Sequence, residues 1–120
     1  SLGLVGSEMC IRDSTYGHEY GDKALSALAS VLYAHSDEQC RRVYRFGGDE
    51  FVMIIDNPHD GEAELIISAV KDELVKCSYD ISIEISSAVG VASGNGSDII
   101  EIVKNADSAM YADKQLYHHR

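Results

Sequence analysis

The sequence predicts an α+β domain in which antiparallel strands form one sheet and helices cover it. Three stretches repeat apolar residues at helical spacing, and three others are rich in β-branched or alternating apolar residues. From residue 15 onward these stretches follow each other in the order α-β-β-α-β-α. A strand ahead of the first helix would complete a β-α-β-β-α-β core with an added helix. We therefore expect a ferredoxin-like sheet with helices on one face, whose first core strand is missing or replaced.

The helices are predicted from stripes of apolar residues separated by three or four positions. The first covers residues 19–35, so Asp22 falls in its first turn, where a carboxylate can cap free backbone N–H groups. In the second, Lys71 and Lys76 are expected near the C-terminal end, on the favourable side of the helix dipole. Ser97 is expected to cap the last helix.

The strands are predicted at residues 42–46, 50–56 and 81–92. The first two flank a Gly-Gly pair, and two apolar β-rich runs joined in this way are typical of a hairpin with a tight turn. The second strand is apolar at five consecutive positions, which favours a central place covered on both faces. The third begins with isoleucines that alternate with polar residues, so one of its faces should be wet there.

Composition limits the classes of function. The chain has 120 residues, enough for one domain with a proper core, and a formal net charge of −10. This acidic balance argues against a nucleic-acid partner, which needs a basic surface. Cys10, Cys40 and Cys77 fit neither a metal site nor a disulfide framework, so we expect a reducing, cytoplasmic location. No apolar run reaches membrane-spanning length, and we expect no membrane contact from this segment.

The chemistry of the chain is concentrated in the heptad RFGGDEF, residues 45–51. Its glycines permit a tight turn and leave no side chain between the backbone and a ligand. The two carboxylates that follow suit a nucleotide held through a divalent metal, because carboxylates bind Mg²⁺ while backbone amides approach phosphates. For Gly-Gly-Asp-Glu alone, a hairpin turn with polar residues in solvent is the favoured interpretation.

Two flanking motifs change this interpretation. The heptad resembles, letter for letter, the signature of the GGDEF family, the bacterial diguanylate cyclases. GHEYGD at residues 17–22 is similar to the family's Gly-His-x-x-Gly-Asp, and ADSAMYADK at residues 106–114 is similar to its Ala-Asp-x-Ala-Leu-Tyr-x-Ala-Lys. Because the three motifs follow the family's order over about a hundred residues, the chain is identified as an N-terminally truncated member of the family.

The resemblance implies a nucleotide-cyclase-like fold and a reaction in which two GTP molecules condense to cyclic di-GMP and release pyrophosphate. The 3′-hydroxyl of one nucleotide attacks the α-phosphate of the other, while Mg²⁺ or Mn²⁺ neutralises the triphosphates. Each domain holds one GTP, so the implied partner is a second GGDEF domain in a homodimer. A sensory or regulatory domain in the parent protein and a cytoplasmic location are also implied.

The resemblance further implies roles for the residues of the hairpin. Gly47 and Gly48 are expected to shape the nucleotide pocket. Asp49 and Glu50 are expected to bind the metal and to be catalytic, with one of them as general base for the hydroxyl; which one is left open. Arg45 is expected to brace the acids or the neighbouring chain rather than to touch the ligand.

Two expected substrate-binding residues lie outside the hairpin. The family motif places Asp22 against the guanine edge as a hydrogen-bond acceptor, which is compatible with its capping of the helix. Lys114 is expected to contact phosphate, although a solvated helix lysine is the simpler alternative. Asp107 is expected to be a structural or surface acid despite its place in the motif.

The chain departs from the family pattern at its start. Counting back from His18 puts Val5 where the family has its first metal-binding aspartate, and Asp13 near its nucleotide-binding asparagine. Neither residue matches the family type. The family's inhibitory Arg-x-x-Asp motif should precede the hairpin, but Glu38 and Arg41 stand there with charges reversed, so feedback inhibition by cyclic di-GMP is not expected.

These departures lead to three expectations. Residues 1–14 should be non-native, which leaves residues 15–120 as a partial GGDEF domain. Residues 1–6 should dock as a makeshift strand that brings no carboxylate to the metal. The chain itself should then bind GTP weakly and make no cyclic di-GMP. The alternative to a cyclase fragment is a degenerate GGDEF domain that acts as a GTP-binding or dimerising regulatory module.

Overall fold

The computed structural model describes residues 2–11, 17–47, 49–81 and 85–118. Its elements are β1 (Leu2–Ile11), α1 (Gly17–Ala34), β2 (Arg41–Arg45), β3 (Glu50–Asp56), α2 (Glu62–Ile81), β4 (Ile85–Gly94), a short 3₁₀-helix (Gly96–Asp98) and α3 (Ile99–His118). This order agrees with a β-α-β-β-α-β core followed by one more helix, so the predicted α+β fold is confirmed.

β1 fills the place of the first core strand. The four strands form one antiparallel sheet in the order β2-β3-β1-β4, so β1 pairs with β3 on one side and with β4 on the other. It continues to Ile11 and is therefore longer than the strand expected from residues 1–6. A strand here supplies hydrogen bonds to both neighbours, which a gap would leave unmade. That residues 1–14 are non-native stays a prediction.

β2 and β3 form the predicted hairpin. Their pairing runs from Arg41 opposite Ile55 to Arg45 opposite Phe51. β3 lies between β2 and β1, and Phe51 and Met53 are only 2% and 1% exposed. The prediction of a central second strand is therefore confirmed.

The two core helices, α1 and α2, share one face of the sheet, as the ferredoxin-like prediction requires. The larger core cluster lies between them and the strands and consists of Val5, Ala24, Leu28, Val31, Leu32, Phe51, Met53, Ile55, Ile66, Val70 and Leu74. The added helix α3 covers the opposite face, where Leu4 and Val52 meet Ile102 and Ala106. No described helix is both long enough and apolar enough to cross a membrane.

α3 approaches β4 so closely that no side chain fits at Gly90. A Cβ atom built there would lie 2.1 Å from the carbonyl oxygen of Ala106 and 2.2 Å from the backbone nitrogen of Met110. Backbone atoms cannot swing aside as a flexible side chain can. Gly90 therefore decides how near the C-terminal half of α3 lies to the sheet.

Some predicted helix ends are wrong. α2 continues to Ile81, which was predicted as the start of a strand, and its last turn holds no basic residue, so both lysines lie upstream of that turn. Asn95, rather than Ser97, caps the next helical segment, because its side chain accepts a hydrogen bond from the backbone N–H of Ser97. Residues 82–84, where the wet face of the last strand was predicted to begin, lie outside the described residues.

Candidate functional site

The hairpin carries the glycine-acid motif at the end of the sheet where β2 passes into β3. The backbone N–H of Phe46 donates to the carbonyl oxygen of Glu50 at 2.9 Å, which closes the turn. Arg45 donates from Nε to the carbonyl oxygen of Gly47 at 3.1 Å. Its guanidinium also lies 5.9 Å from the centre of the Phe51 ring, a cation–π distance. Arg45 thus braces the turn.

β1 adds a carboxylate beside the motif. Glu8 pairs with Glu50 in the register of β1 and β3, and both lie on the face that α3 covers, because they alternate in step with Leu4 and Val52. The predicted strand of residues 1–6 contains no carboxylate, but β1 continues beyond it and places Glu8 opposite Glu50. That the strand brings no carboxylate to the metal stays a prediction. Counting back from His18 assumed an unbroken family spacing, whereas the register depends on which side chains the sheet buries.

Glu8 is the residue of this site that sequence reasoning missed. Its sequence signal is that it is the one charged residue in Leu2–Ile11. An isolated acid in an apolar strand is a weak pointer by itself, since it also occurs at strand ends in solvent.

Lys114 reaches this carboxylate from α3. Its Nζ lies 2.6 Å from Oε1 of Glu8, and the two side chains are 33% and 17% exposed. The preceding residue, Asp113, accepts a hydrogen bond from the backbone N–H of Val89 at 2.7 Å. The C-terminal half of α3 is thereby tied to both β1 and β4.

The pKa of Glu50 is raised above its ordinary value by burial and by the acids around it. Burial contributes most, followed by the charges of Asp107, Glu8 and Asp49, while Lys114 acts in the opposite direction. We call these five residues the carboxylate–lysine cluster. A concentration of like charge with a shifted pKa is typical of functional sites.

The resemblance to the GGDEF family implies a divalent metal at this cluster. Among the side chains that the structure describes, no group of three or more histidine, cysteine, aspartate or glutamate residues is arranged to hold a metal ion. Mg²⁺ requires a near-octahedral set of oxygen ligands. The ammonium of Lys114 already occupies one carboxylate of the cluster, Glu8. The present arrangement therefore does not fit a divalent metal.

A pocket of about 400 Å³ lies on the α1 side of the hairpin. Residues of α1 and of the hairpin form its walls, namely Asp22, Leu25, Ser26, Ala29, Tyr33, Arg45 and Phe51. α1 begins at Gly17, so Asp22 lies in the second turn and the capping interpretation is wrong. Its exposed side chain borders the pocket instead, where a polar ligand can reach it.

The predicted site residues thus fall into two groups. The Asp49–Glu50 pair and Lys114 belong to the carboxylate–lysine cluster, whereas Asp22 borders the pocket. Gly47 lies in the turn, and Gly48 lies outside the described residues. A ligand that touches both groups has to cross the end of the hairpin.

Arg41, at the start of β2, is engaged with α2. Its Nε donates to Oε2 of Glu62 at 2.9 Å, and this hydrogen bond lowers the pKa of the Glu62 carboxyl below its ordinary value. Glu62 also lies 3.2 Å from Nε2 of His59 in the preceding turn. Glu38 is exposed. The positions of the family's inhibitory pair therefore hold an acid in solvent and an arginine that stabilises the fold.

Comparison with protein families identifies the class of protein. The sequence model described as "Diguanylate cyclase, GGDEF domain" matches residues 11–120. The chain therefore belongs to the GGDEF domain family. This confirms the resemblance that the three motifs indicate.

Curated relatives bear the names of diguanylate cyclases. The chain is 33% identical, over 98% of its length, to the probable diguanylate cyclase DgcI of Escherichia coli (strain K12), and the match covers 26% of that protein. It is also 33% identical, over 85% of its length, to the bifunctional diguanylate cyclase/cyclic di-GMP phosphodiesterase MucR of Pseudomonas aeruginosa, of which 15% is covered. The chain thus spans about a quarter or less of these relatives.

Solved structures share the fold. The active GGEEF domain of a diguanylate cyclase from Vibrio cholerae superimposes with a TM-score of 0.78 at 24% identity, covering 95% of this chain and 76% of that one. The GGDEF domain of DgcB from Caulobacter crescentus, solved with c-di-GMP, gives a TM-score of 0.73 at 23% identity, covering 95% and 70%. At these identities the likeness concerns the fold, and it confirms the nucleotide-cyclase-like sheet.

Proposed function

We propose that the chain is the GTP-binding part of a diguanylate cyclase, the domain that condenses two GTP molecules to cyclic di-GMP and pyrophosphate. One observation supports this most. The pocket that Asp22 borders and the carboxylate–lysine cluster both lie beside the same hairpin turn. A nucleotide across that turn would put its base in the pocket and its triphosphate near Lys114. Guanine carries N–H donors on its edge, and the Asp22 carboxylate is an acceptor for them.

In the proposed reaction, the 3′-hydroxyl oxygen of one GTP bonds to the α-phosphorus of the other. The bond between that phosphorus and the bridging oxygen of the leaving group breaks, and pyrophosphate departs. The hydroxyl proton passes to Asp49 or Glu50, the two carboxylates at the hairpin turn. A second such step closes the ring. A facing second domain must supply the other GTP, so the proposal includes a homodimer, with a regulatory domain in a cytoplasmic parent protein.

The 120-residue chain itself is proposed not to turn over GTP. Its carboxylate–lysine cluster does not fit the divalent metal that the family requires. This observation favours the second candidate function for the chain in its present form, a GTP-binding or dimerising regulatory module.

Measurements of GTP binding and of product formation test the proposed GTP site and the proposed inactivity of this chain. Calorimetry with GTP and ATP in Mg²⁺ should give weak binding that favours GTP, and chromatography should detect no cyclic di-GMP. Asp22→Ala should lower GTP affinity roughly tenfold and leave ATP affinity unchanged, because a site built to accept guanine N–H groups discriminates through them. Asp72→Ala, an exposed acid on α2, is the matched control. Cyclic di-GMP from the unaltered chain would contradict its inactivity, and no GTP binding at all would contradict the proposed site.

A repaired version separates the two candidate functions. When residues 1–14 are replaced by a first strand of the family type, with its metal-binding aspartate and nucleotide-binding asparagine, GTP turnover should appear. In that version Asp49→Ala and Glu50→Ala should each abolish turnover and leave the fold intact, since both residues lie at the hairpin turn. A repaired version that folds, binds GTP and makes no product would favour the regulatory module.

A further inference from the structure

We infer that Glu8 and Lys114 neutralise each other in this chain, so that Glu8 limits phosphate binding by Lys114 while Lys114 limits metal binding by the neighbouring carboxylates. The inference rests on the proposed function and deepens it, because it assigns to Glu8 control over the affinity of the same site. Glu8 lies outside the three motifs by which this chain resembles the family.

The contact between the two side chains is short and sheltered. Nζ of Lys114 lies 2.6 Å from Oε1 of Glu8, with exposures of 33% and 17%. Opposite charges at this distance form a charge-assisted hydrogen bond, and partial burial reduces its screening by salt. An ammonium held in this way offers less charge and fewer donors to a phosphate.

The fold holds both partners in place. Glu8 follows Ser7, which is 2% exposed in the central strand β1. Lys114 follows Asp113, whose carboxylate accepts from the backbone N–H of Val89 at 2.7 Å. The pair therefore lies at a defined contact between sheet and helix, unlike an ion pair between two flexible surface side chains.

Lys114 also supplies positive charge among the acids, where a divalent metal ion would otherwise supply it. Glu50 faces Glu8 across the strand pair, and Asp49 and Asp107 act on it with further negative charge. A divalent ion would relieve this repulsion, but Lys114 already relieves part of it. The Lys114 ammonium thus offsets part of the negative charge at the hairpin end, where no three described side chains are arranged to hold a metal.

Two simple ligands test the inference on the full chain. Tripolyphosphate without metal, measured by calorimetry, reports on the ammonium, and Mn²⁺ without nucleotide, measured by electron paramagnetic resonance, reports on the carboxylates. Glu8→Gln should tighten tripolyphosphate binding roughly three- to tenfold, because the lysine is released. Lys114→Met should tighten Mn²⁺ binding by a similar factor, roughly three- to tenfold, because the competing cation is gone.

Two controls separate this mechanism from a general change in net charge. Glu101→Gln removes an exposed acid near the start of the same helix, more than three turns from Lys114, and should leave both affinities unchanged. The double variant Glu8→Gln/Lys114→Met should lose the tripolyphosphate gain of Glu8→Gln. A gain that persists in the double variant, or that Glu101→Gln reproduces, overturns the inference.

The remaining outcomes are also decisive. Unchanged Mn²⁺ affinity in Lys114→Met overturns the inference. Circular dichroism shows whether each variant folds. If Glu8→Gln does not fold, Lys114→Met still tests the inference, because Lys114 lies at a half-exposed position on a helix. If both affinities shift as expected while GTP does not bind, the inference stands and the proposed function fails. If GTP binds while neither affinity shifts, only the inference fails.

Discussion

The two faces of the sheet are held together by different kinds of contact. On the α1–α2 face, large side chains such as Met53 and Leu74 are almost fully buried, at 1% exposure each. On the α3 face, the helix backbone approaches β4 directly at Gly90. The first face depends on side-chain volume, which can be reduced in steps, whereas the second depends on the absence of a side chain. The face that carries Lys114 is therefore the less tolerant of change.

The largest loss of stability is expected when a side chain is introduced between α3 and the sheet. Gly90→Val would place its Cβ 2.1 Å from the carbonyl oxygen of Ala106, so α3 has to leave the sheet. We expect a loss of about 4 kcal/mol or more, a large part of a small domain's stability. Urea denaturation followed by circular dichroism measures it. Gly6→Ala is the control, because its Cβ would lie 3.6 Å from the sulfur of Met110, an ordinary contact. A Gly90→Val variant as stable as the unaltered chain would contradict the close approach.

A smaller loss is expected on the α1–α2 face. Leu74→Ala leaves a cavity among large neighbours and should cost about 2–5 kcal/mol in the free energy of unfolding. Leu65→Ala on the same helix, where the side chain is 69% exposed, should change it by less than about 0.5 kcal/mol. Equal effects at the two positions would mean that α2 presents a different side to the sheet.

The two faces can also be compared through the pH dependence of the free energy of unfolding, because each has a carboxylate with a shifted pKa. The pKa of Glu62 is lowered by its hydrogen bond from Arg41, so its stabilisation is complete above the unfolded pKa of about 4 and is lost as pH falls through the lower folded value. Glu62→Gln should cost about 1–3 kcal/mol at pH 7 and progressively less below pH 4 or so. Urea titrations across this range measure the difference. Glu64→Gln, exposed in the same first turn, should show no such convergence.

The smallest change in stability is expected at Glu50, and it is a gain rather than a loss. Its pKa is raised, chiefly by burial, so ionisation of this group destabilises the folded state at neutral pH. Glu50→Gln should stabilise the chain at pH 7 by less than about 1 kcal/mol, since part of the side chain is in solvent. The gain should vanish as pH falls below the unfolded pKa of about 4. A variant that is less stable at pH 7 would show that Glu50 stabilises the hairpin instead.

Local patterns predicted most of the fold. Gly-Gly between two apolar runs was sufficient for the hairpin, and apolar stripes were sufficient for the three helices. Helix ends were less predictable, since Asp22 lies in the second turn and Ile81 belongs to a helix. Ends depend on capping contacts and neighbouring elements, which the periodicity of a stripe does not contain.

The sequence by itself determined the family, the order of the elements and the glycine-acid motif at the hairpin turn, because motifs and periodicity are properties of residues close together in the chain. Only the tertiary structure decided that Glu8 faces Glu50 and reaches Lys114. Register between strands far apart in sequence depends on which side chains they bury together. A shift by one residue would turn every side chain of β1 to the other face and remove Glu8 from the site.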